Sequence, residues 1–172
     1  MHVFLIAAMT ADGFIGQDSH QSSMKWTSAE DKKWFGARTK QARVVVMGNS
    51  TFATVGRALP ERLTVIYTKD PTEKPETDTT QIRYTNVEPV ELLKQLEQEG
   101  YSEIAICGGS SIYYLFANAG LIDTLYLTVE PKAFGKGVPL FSGPLDLNLQ
   151  LKKMENLSPQ TLLLEYSVVK NS

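Results

Sequence analysis

Three short, uninterrupted apolar runs limit what this chain can fold into more than any other feature: Val3 to Met9 (VFLIAAM), Val44 to Met47 (VVVM) and Ile104 to Cys107 (IAIC). Each has the length of a strand and lacks polar alternation, which is the pattern of a strand covered on both faces. Strands covered on both faces need helices on both sides of the sheet. Helical segments do lie between them. Thr27 to Glu30 and Ser28 to Asp31 both satisfy the capping-box pattern and open a helix running to about Lys40. Asn49, Ser50 and Thr51 offer caps for a short helix to Val55. Pro89 opens another on which Val90, Leu93 and Leu96 share a face, with Gly100 as its stop, and a fourth runs from about Ser110 to Ala119 before Gly120.

Further strands are expected at Leu63 to Tyr67, Ile82 to Tyr84 and Leu125 to Val129, with a final antiparallel pair, Leu147 to Met154 and Leu162 to Val169. The polar stretch Thr10 to Lys25 reads as a mobile loop, and Lys69 to Thr80, polar and proline-punctuated, as a surface excursion. The fold class is therefore α/β: a doubly wound mixed sheet of about eight strands flanked by helices, with a C-terminal antiparallel hairpin. Residues 1–172 form one domain, without internal repeats.

Composition narrows the chemistry. Seventeen Lys plus Arg against nineteen Asp plus Glu give a net charge of -2, and the basic residues are scattered, so nucleic acid is not an expected partner. No apolar run approaches the roughly 18 residues of a membrane span, and the start MHVFLIAAMTADG lacks the basic residues of a signal peptide. A cytoplasmic protein without membrane partners is expected. Cys107 is the only cysteine and His2 and His20 the only histidines, so a disulfide, a thiolate metal cluster, a His-based zinc site and a Ser-His-Asp triad all lack parts. No metal is expected. Catalysis would have to run on carboxylates, backbone donors or a cofactor.

Two of the apolar runs end alike. VVVMGNST at residues 44–51 and IAICGGSS at residues 104–111 pass into glycine and then into small hydroxylated residues at a helix start. Glycine lets backbone approach a ligand, and the free N–H groups of the following helix attract anions. Two such ends suit a ligand with separated phosphates, such as a dinucleotide. Either alone is also what any α/β protein needs at a strand-to-helix turn. The GxGxxG pattern of ordinary dehydrogenases is absent.

Asp31 is the second focus. It lies in a first helical turn, with Phe35 and Arg38 at i+4 and i+7. A carboxylate beside an aromatic face can pair with an N–C–N edge through two parallel hydrogen bonds, a geometry suited to a pterin or aminopyrimidine. It can equally be a first-turn acid favoured by the helix dipole. Trp34 reads as core packing, and Arg57 and Arg62 as solvated charges.

The runs LIAAMTADGFIG, DKKWF, MGNSTF, VGRALPER, ICGGSSIYYLF and LYLT, with the Trp26 to Asp31 spacing, come in the order found in dihydrofolate reductases, which the chain resembles over about residues 3–141. The resemblance implies an NADPH-dependent enzyme that reduces 7,8-dihydrofolate, transferring hydride to C6 while N5 gains a proton. It implies that Ile6, Ala7 and Ala8 line the pterin and nicotinamide site. Asp31 resembles the acid that binds the pterin and serves catalysis, Thr128 its hydroxyl partner and Phe35 the ring that packs on the substrate. Arg62 resembles the arginine that grips the glutamate of folate, with Leu59 and Arg57 nearby. For the cofactor, Gly48, Asn49, Ser50 and Thr51 match the first phosphate turn. Thr68 and Lys69 match the adenosine edge, and Cys107, Gly108, Gly109, Ser110, Ser111, Ile112 and Tyr113 the diphosphate segment. Phe14, Ile15 and Gly16, with Met24 and Trp26, resemble the lid over the nicotinamide. A monomer is expected over a homodimer.

The chain also departs from that pattern. Asn49 and Ser50 stand where a basic pair commonly meets the adenosine 2′-phosphate, leaving Lys69 to compensate, and Lys25 replaces the proline usual before the tryptophan. Gly13 after Asp12, and GKGVPLF at residues 135–141, are similar instead to the pyrimidine reductases of riboflavin synthesis. A reductase of phosphoribosylamino-uracil or another pteridine is thus an alternative, and a non-catalytic nucleotide-binding module is one from a different class.

Overall fold

The computed structural model describes residues 1–72 and 81–170. Ten strands and four α-helices are described: β1 (His2–Thr10), β2 (Phe14–Gly16), α1 (Ala29–Ala42), β3 (Val44–Gly48), α2 (Asn49–Val55), β4 (Leu63–Tyr67), β5 (Ile82–Thr85), α3 (Pro89–Gln98), β6 (Glu103–Ile106), α4 (Ser110–Asn118), β7 (Thr124–Glu130), β8 (Val138–Pro139), β9 (Leu149–Asn156) and β10 (Leu162–Val168). Eight strands form one sheet in the order β5-β4-β3-β6-β1-β7-β10-β9. The pairs from β5 to β7 are parallel, and β10 runs antiparallel to both β7 and β9. The expected mixed sheet and C-terminal hairpin are both present.

The uninterrupted apolar runs occupy the middle of the sheet because each strand feeds two cores. Along β1, Val3, Leu5 and Ala7 enter one cluster with Ile112, Phe116, Leu92 and Leu96 of α4 and α3. Phe4 and Ile6 enter the other, beside Trp34 and Phe35 of α1 and Phe52 and Val55 of α2. Strand alternation sends neighbours to opposite faces, so a centre with helices on both sides tolerates no polar position. Phe4, Leu5 and Ile106 are fully buried, each stabilising the fold by about 1.5–3 kcal/mol relative to exposure.

Several expectations need correction. The stretch Thr10 to Lys25 is not a featureless loop. Thr10 completes β1, Phe14–Gly16 pairs with Val138–Pro139 in a second two-stranded sheet, and residues 23–25 form a 3-10 turn. The Asp12 carboxylate reinforces the tie by accepting from Thr10 Oγ1 (2.6 Å), Phe134 N (3.1 Å) and Gly135 N (2.7 Å).

On α3 the buried positions are Pro89, Leu92 and Leu96, while Val90 is 48% exposed. Positions 89, 92 and 96 return to one azimuth at 100° per residue, whereas 90, 93 and 96 drift around the helix. The final strands begin and end at 149–156 and 162–168, with a register shift opposite Glu165 and Tyr166. Of the expected excursion Lys69 to Thr80, residues 73–80 lie outside the described residues. No described helix is long and apolar enough to cross a membrane.

Candidate active site

A cleft of about 1240 Å³ opens at the C-terminal ends of the parallel strands, the edge at which α/β sheets gather ligands. One wall is the end of β1, where Ile6, Ala7 and Ala8 line the cleft. Opposite them stands the first half of α1. Ser28 caps that helix, its Oγ accepting from Asp31 N at 3.1 Å, and the cap places Asp31 on the cleft wall with Phe35 one turn later.

Asp31 is 8% exposed and makes no ion pair among the described residues. Burial pushes its carboxyl above the usual aspartate range, and the nearby Glu130 charge adds to the rise. Hydrogen bonding from Thr128 and Thr27 and the charge of Lys32 pull the other way. Such an acid can accept two parallel donors when ionised, and it gives up its proton less readily than an exposed aspartate.

Arg38 does not join this group. Its guanidinium meets Glu103 in two hydrogen bonds, 3.0 and 2.9 Å, and lies 3.9 Å over the Phe4 ring. Glu103 also meets His2 Nδ1 at 3.1 Å. Seven residues along a helix are about 10 Å, so the shared face carries Arg38 to the far end of the sheet.

Arg62 lines the cleft beyond Phe35 and is 7% exposed, not a solvated charge. Its Nη1 donates to Thr39 Oγ1 (2.6 Å) and Gly36 O (3.4 Å), and its Nε to Pro60 O (3.0 Å). Burial lowers its proton affinity, yet a guanidinium stays charged at any working pH. Held on one side with no acid partner among the described residues, it has a free nitrogen for an anion. Leu59 lines the cleft beside it, and Arg57 lines it from an exposed position.

The other half of the cleft is built by the two glycine-ended strands. Gly48 N donates to Gly108 O at 2.8 Å, which brings the two strand-to-helix turns side by side. Their tightness explains the glycines. A Cβ on Gly109 would meet Thr51 Oγ1 at 3.1 Å, and one on Gly108, at φ +107°, would meet the Tyr113 ring at 3.1 Å. Neither α2 nor α4 has a side-chain cap, so their first N–H groups are open to an anion. Asn49, Ser50, Thr51, Ser110, Ser111 and Ile112 line this half. Tyr113 is anchored beneath, its hydroxyl donating to Ile6 O at 2.7 Å. Burial pushes the Cys107 thiol up to about 12, so it is no nucleophile.

Thr68 and Lys69 line the cleft with Tyr67, Asn86 and Glu88, which adds a cation and a carboxylate to its lining. From the lid, Ile15, Gly16 and Met24 line the cleft. Phe14 and Trp26 do not. Trp26 is buried edge-on against Phe134, and Phe14 sits in the β2–β8 pair. Thr128 is also off the cleft surface, 1% exposed behind Asp31.

Sequence reasoning passed over Glu130. It is two residues beyond Thr128 in LYLTVEP and hence on the same strand face, a signal lost by ending the strand at Val129. Tyr67 was also missed, and its buried hydroxyl has no hydrogen-bond partner among the described residues.

The family model described as dihydrofolate reductase matches residues 2–138. The type 9 dihydrofolate reductase of Escherichia coli is 35% identical over 129 residues, 72% of this chain and 67% of that protein. Among solved structures, a pyrimidine reductase-like protein from Corynebacterium diphtheriae superposes with a TM-score of 0.79 at 17% identity, covering 99% of this chain and 92% of the other. A diaminohydroxyphosphoribosylaminopyrimidine deaminase/5-amino-6-(5-phosphoribosylamino)uracil reductase from Thermotoga maritima gives 0.81 at 19%, covering 98% and 56%. At such identities the two structures show a common fold. The family model spans both halves of the cleft, from β1 to β8, and the chain belongs to the dihydrofolate reductase family.

Proposed function

We propose that this chain reduces 7,8-dihydrofolate to 5,6,7,8-tetrahydrofolate with NADPH. The observation that carries the reading is Asp31, a buried acid without an ion-pair partner among the described residues, on the wall of a cleft whose other half is lined by open helix starts. A pterin offers an N–C–N edge that matches a carboxylate in two hydrogen bonds. Phe35 supplies an aromatic face, and the free side of Arg62 a partner for the glutamate carboxylate.

The glycine-walled half of the cleft fits a dinucleotide, because a Cβ at Gly108 or Gly109 would close the turns and, among the described residues, no side chain caps the helix starts. Gly48, Asn49, Ser50 and Thr51 would hold one phosphate region and residues 108–113 the diphosphate. Lys69 would meet the 2′-phosphate. When bound, the nicotinamide supplies the hydride. The chain's own residues orient and protect. Asp31 holds the pterin in register, and its negative charge beside the ring favours the N5-protonated form, with water delivering the proton. Ile6, Ala7 and Ala8 present a flat apolar wall, and the 10–26 segment, tied down through Asp12 and β2, shields the reacting rings from bulk water. One chain supplies all these groups, so the proposed working unit is a monomer, in the cytoplasm.

Lys32 and Arg57 on the same cleft favour a second reading. With Arg62 they make three cations, more than a single glutamate tail needs and suited to the ribose phosphate of an aminopyrimidine. NADPH oxidation measured with dihydrofolate and, separately, with phosphoribosylamino-uracil decides between them. Turnover of dihydrofolate alone is expected. Turnover of the aminopyrimidine alone reverses the assignment, and NADPH binding without either turnover makes the chain a nucleotide-binding module.

A further inference from the structure

One buried acid has no part in the reading above. Glu130 ends β7, is 3% exposed and has no ion-pair partner among the described residues. Its Oε1 accepts from Ser28 N at 2.9 Å and Ser28 Oγ at 2.8 Å, and its Oε2 from Thr161 Oγ1 at 3.2 Å. Burying a carboxylate without a cation is costly, and an apolar side chain would fill such a place more cheaply. Its contacts therefore call for a purpose beyond packing.

The contacts lead to Asp31. Ser28 Oγ has one proton, which goes to Glu130, so its lone pairs are left to accept from Asp31 N at 3.1 Å. Glu130 thus aims the cap that starts α1 and fixes the residue on the cleft wall. It also lies close enough for its charge to act on the Asp31 carboxyl.

We propose that Glu130 is a positioning residue of the substrate site, which orients the Ser28 cap to hold Asp31 and presents a second negative charge behind it. The inference rests on Asp31 being the acid of that site. The groups facing Asp31 are Lys32 on its own helix, Glu130 from β7 and Tyr113 from α4, with the hydroxyls of Thr27 and Thr128 between them. Of these, Lys32 opposes Glu130 from a half-exposed position where solvent weakens it. Glu130 acts from the interior, where a charge is less screened. Its effect is to make Asp31 release its proton at higher pH than it would beside a neutral side chain.

Glu130→Gln tests the charge, because the amide keeps the volume and an oxygen for Ser28. Carbon-13 NMR of the aspartate carboxyls, titrated in the ligand-free chain with the Asp31 signal identified by its loss in Asp31→Asn, should show a lower midpoint in Glu130→Gln. The pH profile of hydride transfer should move the same way while NADPH affinity stays unchanged. An unmoved Asp31 midpoint would overturn the electrostatic half. Glu130→Met tests the positioning half. Folate, titrated by tryptophan fluorescence, should bind on the order of tenfold more weakly, the scale of a lost hydrogen bond to a charged group, with NADPH affinity again unchanged. Wild-type folate affinity would overturn it. If Glu130→Met does not fold, Ser28→Ala, which removes the relayed hydroxyl alone, takes its place with the same two outcomes. The carboxyl titration needs no turnover, so a chain that reduces neither substrate refutes the proposed function and leaves this test intact.

Discussion

Replacing Asp31 by Asn keeps the shape of the side chain and removes the carboxylate from the substrate half of the cleft. Two consequences have opposite signs. In catalysis, the paired hydrogen bonds to the pterin and the bias toward protonated N5 both weaken, so turnover should fall by about 10² or more, equivalent to about 2.7 kcal/mol of transition-state stabilisation. In stability, the carboxylate costs more than it contributes. As a first-turn acid it gains roughly 0.3–1 kcal/mol from the helix dipole, but burial raises its folded-state proton affinity above the unfolded value.

The sign follows by linkage. A raised folded value means that the favourable contribution is complete below the unfolded pKa of 3.8 and is lost as pH rises through the folded value. The Asn variant lacks that loss, so its advantage in melting temperature should be absent in acid and grow as pH rises through the folded value. NADPH consumption followed at 340 nm and thermal melts at several pH values read the two effects. Lowering the pH should partly restore the variant's rate, because solvent then protonates N5 unaided. Wild-type turnover in Asp31→Asn would return Asp31 to the role of a helix-dipole acid. A melting temperature lowered at neutral pH would refute the electrostatic reasoning.

Other outcomes follow from the same geometry. Arg62→Ala should weaken dihydrofolate by about 2 kcal/mol or more while hardly affecting a pterin without a glutamate tail; equal losses in calorimetric titrations would make Arg62 structural, a role its bonds to Thr39 and Pro60 could fill. Lys69→Ala should weaken NADPH far more than NADH, less so at high salt, and unchanged selectivity in a fluorescence titration would move the phosphate site elsewhere. Arg38→Ala should destabilise the fold by about 2–3 kcal/mol, since it removes both bonds to Glu103 and the contact over Phe4, lowering Tm by roughly 5–10 °C. Hydrogen bonding from Arg38 holds Glu103 below the usual range, so that stability is present above the unfolded value and lost as pH falls through the folded one; the Arg38→Ala deficit should therefore shrink in acid.

What was readable in the sequence was what a single element carries within itself. VFLIAAM, VVVM and IAIC announce central strands because burial on both faces leaves no room for a polar residue. The cap at Ser28 and the glycine turns at Gly48 and Gly108 are likewise local. What depended on distant partners was harder to read. Phe14–Gly16 is a strand only because Val138–Pro139 lies beside it, more than 120 residues on, so polar neighbours made it look like loop. Helical spacing gave Arg38 the face of Asp31 but not its height along the axis. The buried state of Arg62 comes from Thr39 on another element. Glu130 drew no notice in the sequence, because its contact with Ser28 spans 102 residues.

The central claim is hydride transfer to C6 of dihydrofolate. Supplying NADPH dideuterated at C4 of the nicotinamide together with unlabelled dihydrofolate, and locating deuterium in the product by NMR, tests it at the bond that forms. One deuteron at C6 of tetrahydrofolate, with hydrogen from water at N5, is the predicted result. No tetrahydrofolate, or a product without deuterium at C6, would contradict it.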